Sequence, residues 1–248
     1  MSFLTIDEKD LSSKYPGVKI ESFVVVGINV EIGSGSVISS GVKIYPGTII
    51  GENVKILENS VIGRPTIVPE LGTIVKRKMS DDILGVCIGD DSVIGSCVVL
   101  YRGSVIGKRN IICDLTSVRE HCVFGDDVLL GRGVMVQVST KIGSRTKIMD
   151  QCHLPGDMII EEDVFLSTHV CGASENSLGR SDSTGKWGGP HIKKGAYIGV
   201  NATLLPGVIV GENSVVAASA LVSKNVDDFS LVMGVPAKFV RKVESKIN

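Results

Sequence analysis

Four histidines, His121, His153, His169 and His191, are the side chains of this sequence best suited to moving a proton near neutral pH, and they stand 32, 16 and 22 residues apart. An imidazole, or a carboxylate such as Glu175, can take the proton from a nucleophile as it attacks. The candidates for a reacting end are His153, His121 and Glu175. Zinc normally needs three protein ligands, and no two of the histidines are close in sequence, so no metal is expected. The six cysteines, Cys87, Cys97, Cys113, Cys122, Cys152 and Cys171, form no CxxC pair and no regular disulfide spacing. They read as small buried residues or reduced surface thiols.

These side chains must be positioned by a repeat. From Ile88 to Leu166 an aliphatic or Phe residue fills every sixth position: Ile88, Ile94, Leu100, Ile106, Ile112, Val118, Phe124, Leu130, Val136, Ile142, Ile148, Leu154, Ile160 and Leu166. A period of six matches neither the 3.6 of a helix nor the alternation of a simple strand. It matches a parallel β-helix, in which a hexad is one short strand plus a turn and three hexads make a triangular coil. Gly follows the aliphatic residue at Gly89, Gly95, Gly107, Gly125, Gly131 and Gly143, where its backbone freedom suits a corner. Four positions after the aliphatic residue the side chains are small, as at Ser92, Val98, Thr116, Cys122, Thr146 and Cys152, and share the interior.

An earlier array runs through Ile20, Val26, Ile32, Ile38, Ile44, Ile50, Ile56 and Ile62, and a later one through Ile192, Ile198, Leu204, Val210, Val216 and Val222. Together the arrays hold twenty-eight hexads, about nine coils. The expected organisation is a single β-helix domain over residues 1–248, with repeats at about 20–62, 88–166 and 192–222 and a C-terminal segment at 223–248. Excursions are expected at 63–87, with its Lys76-Arg77-Lys78 cluster, and at 167–191. Long interruptions of a strict array are usually functional or disordered, and the polar residues and Trp187 of the second favour function. No separate catalytic domain is expected before the repeats.

Composition agrees. Twenty-nine glycines with only 4% aromatic residues suit many tight corners around a thin aliphatic core. A net charge of −1 supplies no electrostatic reason for a nucleic acid or an anionic membrane as partner. The N-terminus MSFLTIDEKDLSSKYPG has early acidic residues and no long apolar run, so neither a signal peptide nor a transmembrane segment is expected, which leaves the cytoplasm.

On these hexads the chain resembles the hexapeptide-repeat acyltransferases, a resemblance that covers nearly its whole length. It implies an all-β fold, a left-handed parallel β-helix, working as a homotrimer with active sites in the clefts between neighbours. The runs Ile198-Gly199-Val200-Asn201-Ala202-Thr203-Leu204-Leu205-Pro206-Gly207, Val215-Val216-Ala217-Ala218-Ser219-Ala220 and Met233-Gly234-Val235-Pro236-Ala237-Lys238-Phe239-Val240-Arg241 are similar to the C-terminal part of acetyl-CoA-dependent sugar and amino-acid acetyltransferases. There this region lines the coenzyme A groove. The resemblance thus implies acetyl-CoA, or another acyl-CoA, as co-substrate, bound at Asn201, Ala217, Ala218, Ser219, Lys224, Pro236, Lys238 and Arg241. Small residues would let pantetheine approach the backbone, and Lys224, Lys238 and Arg241 would meet phosphates.

The segments Tyr101-Arg102-Gly103-Ser104, Ser117-Val118-Arg119-Glu120, Gly131-Arg132-Gly133-Val134 and Glu175-Asn176-Ser177-Leu178-Gly179-Arg180 resemble acyltransferases that modify the amine of nucleotide-linked deoxyaminosugars, with dTDP or UDP as the nucleotide. The last segment departs from the family pattern, because Ser174 and Glu175 stand where Asn and Asp are usual. The Gly-His-Pro segment of maltose and galactoside O-acetyltransferases is absent. Residues eighteen apart stack in successive coils, which places Arg119 under Gln137 and His121 under Ser139 and Asp157. Such a polar ladder is what an acceptor cleft needs, and the expected substrate contacts are Arg119, Glu120, Gln137, Asn176 and Arg180. The reading is an acyl-CoA-dependent N-acyltransferase. Its alternatives are an O-acetyltransferase of a sugar or small hydroxyl compound, a γ-type carbonic anhydrase, disfavoured by the histidine spacing, and a non-catalytic scaffold or binding module.

Overall fold

The computed structural model describes residues 13–66, 85–176 and 188–244, together with the strand Phe3–Leu4. Three sheets of eleven, nine and twelve strands, here I, II and III in the order the chain visits them, wind into a parallel β-helix. Most strands are two residues long, and each pairs in register with the strand eighteen residues on, as Cys87 with Val105 and Ile88 with Ile106. All fourteen aliphatic positions of the central array point inward, none more than 3% exposed. Burying such a side chain is worth about 1.5–3 kcal/mol, so the stripe supplies the main drive for the stack.

The small positions also face inward, and their polar atoms join the coils. Ser104 Oγ donates to the Arg119 carbonyl at 2.8 Å and accepts the Cys122 N–H at 3.0 Å. Asn110 Nδ2 donates to the Gly125 carbonyl at 3.0 Å, while its Oδ1 accepts the Val128 N–H. These buried polar atoms are thereby satisfied between neighbouring coils, as a dry core requires.

The corner differs from the expectation. The left-handed backbone sits three residues after the aliphatic residue, as at Asp91, Arg109, Leu115, His121 and Asp127, with φ between 55° and 62°. Their own N–H groups bond the previous coil, Arg109 to the Asp90 carbonyl at 2.8 Å and Asp127 to Lys108 at 3.0 Å. The glycines directly after the aliphatic residue serve another purpose. A Cβ at Gly107 would lie 2.4 Å from the Gly125 carbonyl oxygen, and one at Gly143 2.5 Å from the Glu161 carbonyl carbon. They are glycines because the next coil leaves no room.

The pairing also measures the interruptions. Val61 pairs with Val99, 38 residues on instead of 18, so the first interruption adds twenty residues. Arg64 is still in its strand and Val86 is already buried, which makes it narrower than 63–87. Ile159 pairs with His191, so the second adds fourteen, and the strand Cys171–Gly172 lies inside the span 167–191. Gly172 fills the hexad slot because Pro155 stands 2.6 Å from where its Cβ would be. Sheet I then holds ten parallel strands instead of the nine levels expected. Both interruptions leave sheet I and return in sheet II, at the same edge of the prism.

Antiparallel strands close both ends. Phe3–Leu4 runs against Val26–Gly27, and Lys238–Lys242 runs against Ser230–Met233, itself the last parallel strand of sheet III. Among the described residues no helix is long and apolar enough to cross a membrane.

Candidate active site

The prism has three edges, and the eighteen-residue step gives each its own chemistry. On the edge between sheets II and III, Arg109 Nε and Nη2 bond Asp127 at 2.7 and 2.8 Å, and Arg145 bonds Asp163 with the same distances. These guanidinium groups hold both aspartates below the usual carboxylate range. Arg109 and Arg145 are satisfied by their partners, so this edge reads as structural.

The edge between sheets I and II carries the acceptor candidates. Gly103, His121, Ser139, Asp157 and Glu175 follow one another at eighteen-residue steps, and the backbone confirms the column, with Ser139 N–H donating to the Glu120 carbonyl and Asp157 N–H to Val138, each at 3.0 Å. Glu175 therefore joins the ladder expected for His121, Ser139 and Asp157. Asn176, the next residue, is exposed where the chain leaves the coil. Arg180 lies outside the described residues, as do Lys76, Arg77, Lys78 and Trp187.

Arg119 and Glu120 follow the strand Ser117–Val118 and lead into the corner at His121. Glu120 is 3% exposed, and Arg119 Nε and Nη2 each donate to it at 2.7 Å. Burial pushes this carboxyl up, and the Arg119 hydrogen bonds, a backbone N–H and the Arg119 charge together outweigh it and leave it lowered. Arg119 also lies over the Tyr101 ring, its guanidinium carbon 5.3 Å from the centroid. Arg64 reaches the same ring from the preceding coil at 5.6 Å. Sequence reasoning did not join Arg64 to this cluster, because the step from Arg64 to Tyr101 crosses the first interruption. Gln137 stacks above Arg119, its N–H bonding the Leu154 carbonyl at 2.9 Å.

His153 stands on the outward face of sheet I, between Met135 and Cys171. Burial lowers its pKa, so it is a neutral imidazole at physiological pH. His121 is two coils away along the axis, about 10 Å at the usual strand spacing, and the two cannot share one proton within a protomer. His191 sits on sheet II with Nε2 2.7 Å from Glu161, away from the other candidates. His169 does not open the second interruption. It is the left-handed corner residue between sheets III and I, φ 58°, directly before the strand Cys171–Gly172.

That third edge gathers most of the donor candidates. Asn201 follows His169 in the column, its N–H donating to the Thr168 carbonyl at 3.0 Å, and Ser219 N–H donates to Val200 at 2.8 Å. Ala217 and Ala218 lead into Ser219. The turn holding Pro236 packs alongside, with Ala237 N–H bonding the Leu221 carbonyl at 2.8 Å, and Lys238 and Arg241 are exposed on the final strand. Lys224 follows the sheet I strand Leu221–Val222 and leads toward the opposite edge, so it does not join this group. Sheet I thus has donor candidates on one side, acceptor candidates on the other and His153 on the face between them. Among the described residues no cluster of three or more His, Cys, Asp or Glu side chains forms a metal site.

A profile of the bacterial transferase hexapeptide (six repeats) matches residues 29–64 and 189–224. Those two stretches are similar to hexapeptide transferase repeats. The three parallel sheets are the β-helix that the hexads predict, and the hexapeptide match agrees with the left hand that the resemblance implies. A Staphylococcus aureus protein (strain Mu50) whose name makes it a candidate acetyltransferase is 36% identical over 72 residues, 29% of this chain and 36% of its own length. The serine acetyltransferase of Buchnera aphidicola is 39% identical over 27% of this chain and 26% of its own. The chain therefore spans about a third or less of the length of these relatives. The Francisella novicida UDP-N-acetylglucosamine acyltransferase structure covers 92% of this chain and 67% of its own at 22% identity, with a TM-score of 0.39. That superposition is too loose to carry residue correspondences.

Proposed function

We propose that this protein is an acyl-CoA-dependent N-acyltransferase acting on the amino group of a nucleotide-linked (dTDP or UDP) deoxyaminosugar, with acetyl as the acyl group. The observation that carries the reading is the division of the prism, with acceptor and donor candidates on the two edges that flank sheet I. The resemblance of the Tyr101–Ser104, Ser117–Glu120 and Glu175–Arg180 segments to aminosugar acyltransferases, and the acetyltransferase names of the relatives, support it.

In the reaction the neutral amine attacks the thioester carbonyl, a C–N bond forms, the C–S bond breaks, and the thiolate leaves and takes up a proton. Much of the rate comes from holding amine and thioester in contact. The amine's proton passes to His121, which stands on the acceptor edge beside Arg119 and Glu120. His153, kept neutral by burial, is the second histidine within this region. Arg119, Glu120, Gln137, Asn176 and Arg180 contact the acceptor. Asn201, Ala217, Ala218, Ser219, Pro236, Lys238 and Arg241 line the acyl-CoA groove, with Lys224 reaching it from a neighbouring subunit. The working unit is a cytoplasmic homotrimer, in which one protomer's donor edge faces its neighbour's acceptor edge. No metal takes part.

The test is thiol release from acetyl-CoA with a panel of dTDP- and UDP-linked aminosugars, free sugars and serine. Release only with nucleotide-linked amines supports the reading. Release only with free sugars or serine replaces it with O-acetylation, and no binding of acetyl-CoA leaves a scaffold.

A further inference from the structure

The strand Val99–Tyr101 meets three arginines where the first interruption leaves the coil. Arg64 lies in the coil before and Arg119 in the coil after, their guanidinium carbons 5.6 and 5.3 Å from the Tyr101 centroid. Arg102 follows Tyr101, and its N–H bonds the Arg64 carbonyl at 3.0 Å. Only Arg119 has a carboxylate, the buried Glu120, which its two hydrogen bonds consume. Arg64 and Arg102 have no carboxylate partner among the described residues.

Elsewhere on the coils the pattern is the reverse. Arg109, Arg132 and Arg145 each have an aspartate in an adjacent coil, at 2.7, 3.8 and 2.7 Å. The Nε of Arg102 is moreover buried without any hydrogen-bond partner. A buried donor on a cation, left unsatisfied, costs about 1–3 kcal/mol or more, and an anion brought to it removes that cost. Two arginines without carboxylate partners, on backbones joined by a hydrogen bond, suit a diphosphate, whose oxygens accept paired N–H donors in the fork geometry of Arg.

We infer that Arg64 and Arg102 form the diphosphate-binding site of a nucleoside-diphosphate acceptor, with Tyr101 and the Arg119–Glu120 pair fixing their positions. This rests on the acyltransferase reading for the acceptor's identity, but the binding chemistry stands apart from it. Coenzyme A also carries a diphosphate. The placement favours the acceptor, because five strand steps of sheet I, about 24 Å, separate Tyr101 from the strand Thr203–Leu204 beside the donor edge. One coil, about 5 Å, separates Gly103 from His121, within reach of a sugar attached to that diphosphate.

Isothermal titration of the full-length protein with UDP, dTDP, inorganic diphosphate and coenzyme A tests the inference, comparing wild type with Arg64→Gln, Arg102→Gln and Arg241→Gln, each checked for an unchanged melting temperature. Nucleoside diphosphates are expected to bind wild type and to lose at least tenfold in affinity in Arg64→Gln and Arg102→Gln, with coenzyme A affinity unchanged. Arg102→Lys, which keeps the charge but not the fork, should lie between. Loss of coenzyme A affinity instead would assign the cluster to the donor and overturn the inference, as would unchanged nucleotide binding or none. Arginine-dependent nucleotide binding without acyl transfer to any aminosugar would retain the site and reject the enzymatic reading. Transfer whose acceptor KM ignores both substitutions would do the opposite.

Discussion

Arg119 grips Glu120 at two points, Nε to Oε2 and Nη2 to Oε1, both at 2.7 Å, although the two residues are adjacent in sequence and only the carboxylate is buried. Adjacent side chains in a regular strand point to opposite faces. They meet here because Glu120 has left the strand and turned into the corner beneath His121.

Replacing Glu120 with Gln should therefore destabilise the fold by roughly 1–3 kcal/mol, since it removes a charged hydrogen-bond acceptor from a buried position. The sign with pH follows from the lowered carboxyl. A depressed folded pKa gives stability that is present above the ordinary value of 4.5 and lost as pH falls through the folded value. Thermal melts of wild type and Glu120→Gln should converge in strong acid and separate toward neutrality. A constant difference across pH would show that the pair contributes nothing through its charge.

Glycines of the two classes should respond differently to Ala. At Gly107 a Cβ meets backbone at 2.4 Å, which cannot move without shifting the neighbouring coil, and a cost of about 1–3 kcal/mol is expected. At Gly133, φ 65° with nothing nearer than 3.7 Å, only the left-handed conformation of a side chain opposes the change, about 1 kcal/mol. Paired melting temperatures check the order, and a larger loss for Gly133→Ala would reverse the assignment.

The cysteines should divide by burial. Burial pushes Cys122 up to about 12 and Cys152 to about 11, and both are wholly buried, so neither should react with a thiol reagent in the folded protein at pH 8. The exposed Cys97 and Cys171 should react readily. Peptide mapping after brief alkylation decides. Early labelling of Cys122 would mean that the coils open.

His121→Asn and His153→Asn separate the two histidines. Loss of a general base lowers kcat by about 10²–10⁴. That loss is expected for His121→Asn, with acetyl-CoA binding retained, and a smaller effect on acceptor KM is expected for His153→Asn. If His153 were the base, its lowered pKa would place the acid limb of the rate profile below the ordinary imidazole value of 6.5, and His153→Asn would abolish that limb.

The inward face of the fold was legible because a hexad repeats one aliphatic residue per strand, and each of those from Ile88 to Leu166 is buried. The column of His121, Ser139 and Asp157 was legible for the same reason. The corners were not, since the left-handed position accepts Asp, Arg, Leu, Cys and His alike. Its conformation is set by the closing of the coil and by hydrogen bonds to the coil before, which no single residue type announces. His169 was misplaced because Gly172, held small by Pro155, broke the aliphatic pattern one hexad before the coil itself ended. Arg64 and Tyr101 could not be joined without the length of the insertion between them, whereas Tyr101 and Arg119 are a plain eighteen apart. The acceptor and donor edges become distinct only once each hexad is assigned to a sheet.

The two interruptions add twenty and fourteen residues, and although the pairing slips by one residue between Ile62 and Arg64 where the first departs, the sheet II strands that follow each interruption pair in register. A loop that departs and rejoins at one corner is invisible to the rest of the stack, and lengthening it costs only a slowly growing closure entropy. Both loops spring from the edge assigned to the acceptor, and neither touches the phase of the edge assigned to the donor. On the proposed function, what the protein recognises could therefore be rewritten by exchanging one loop for another, while the edge proposed to deliver the acyl group is inherited whole.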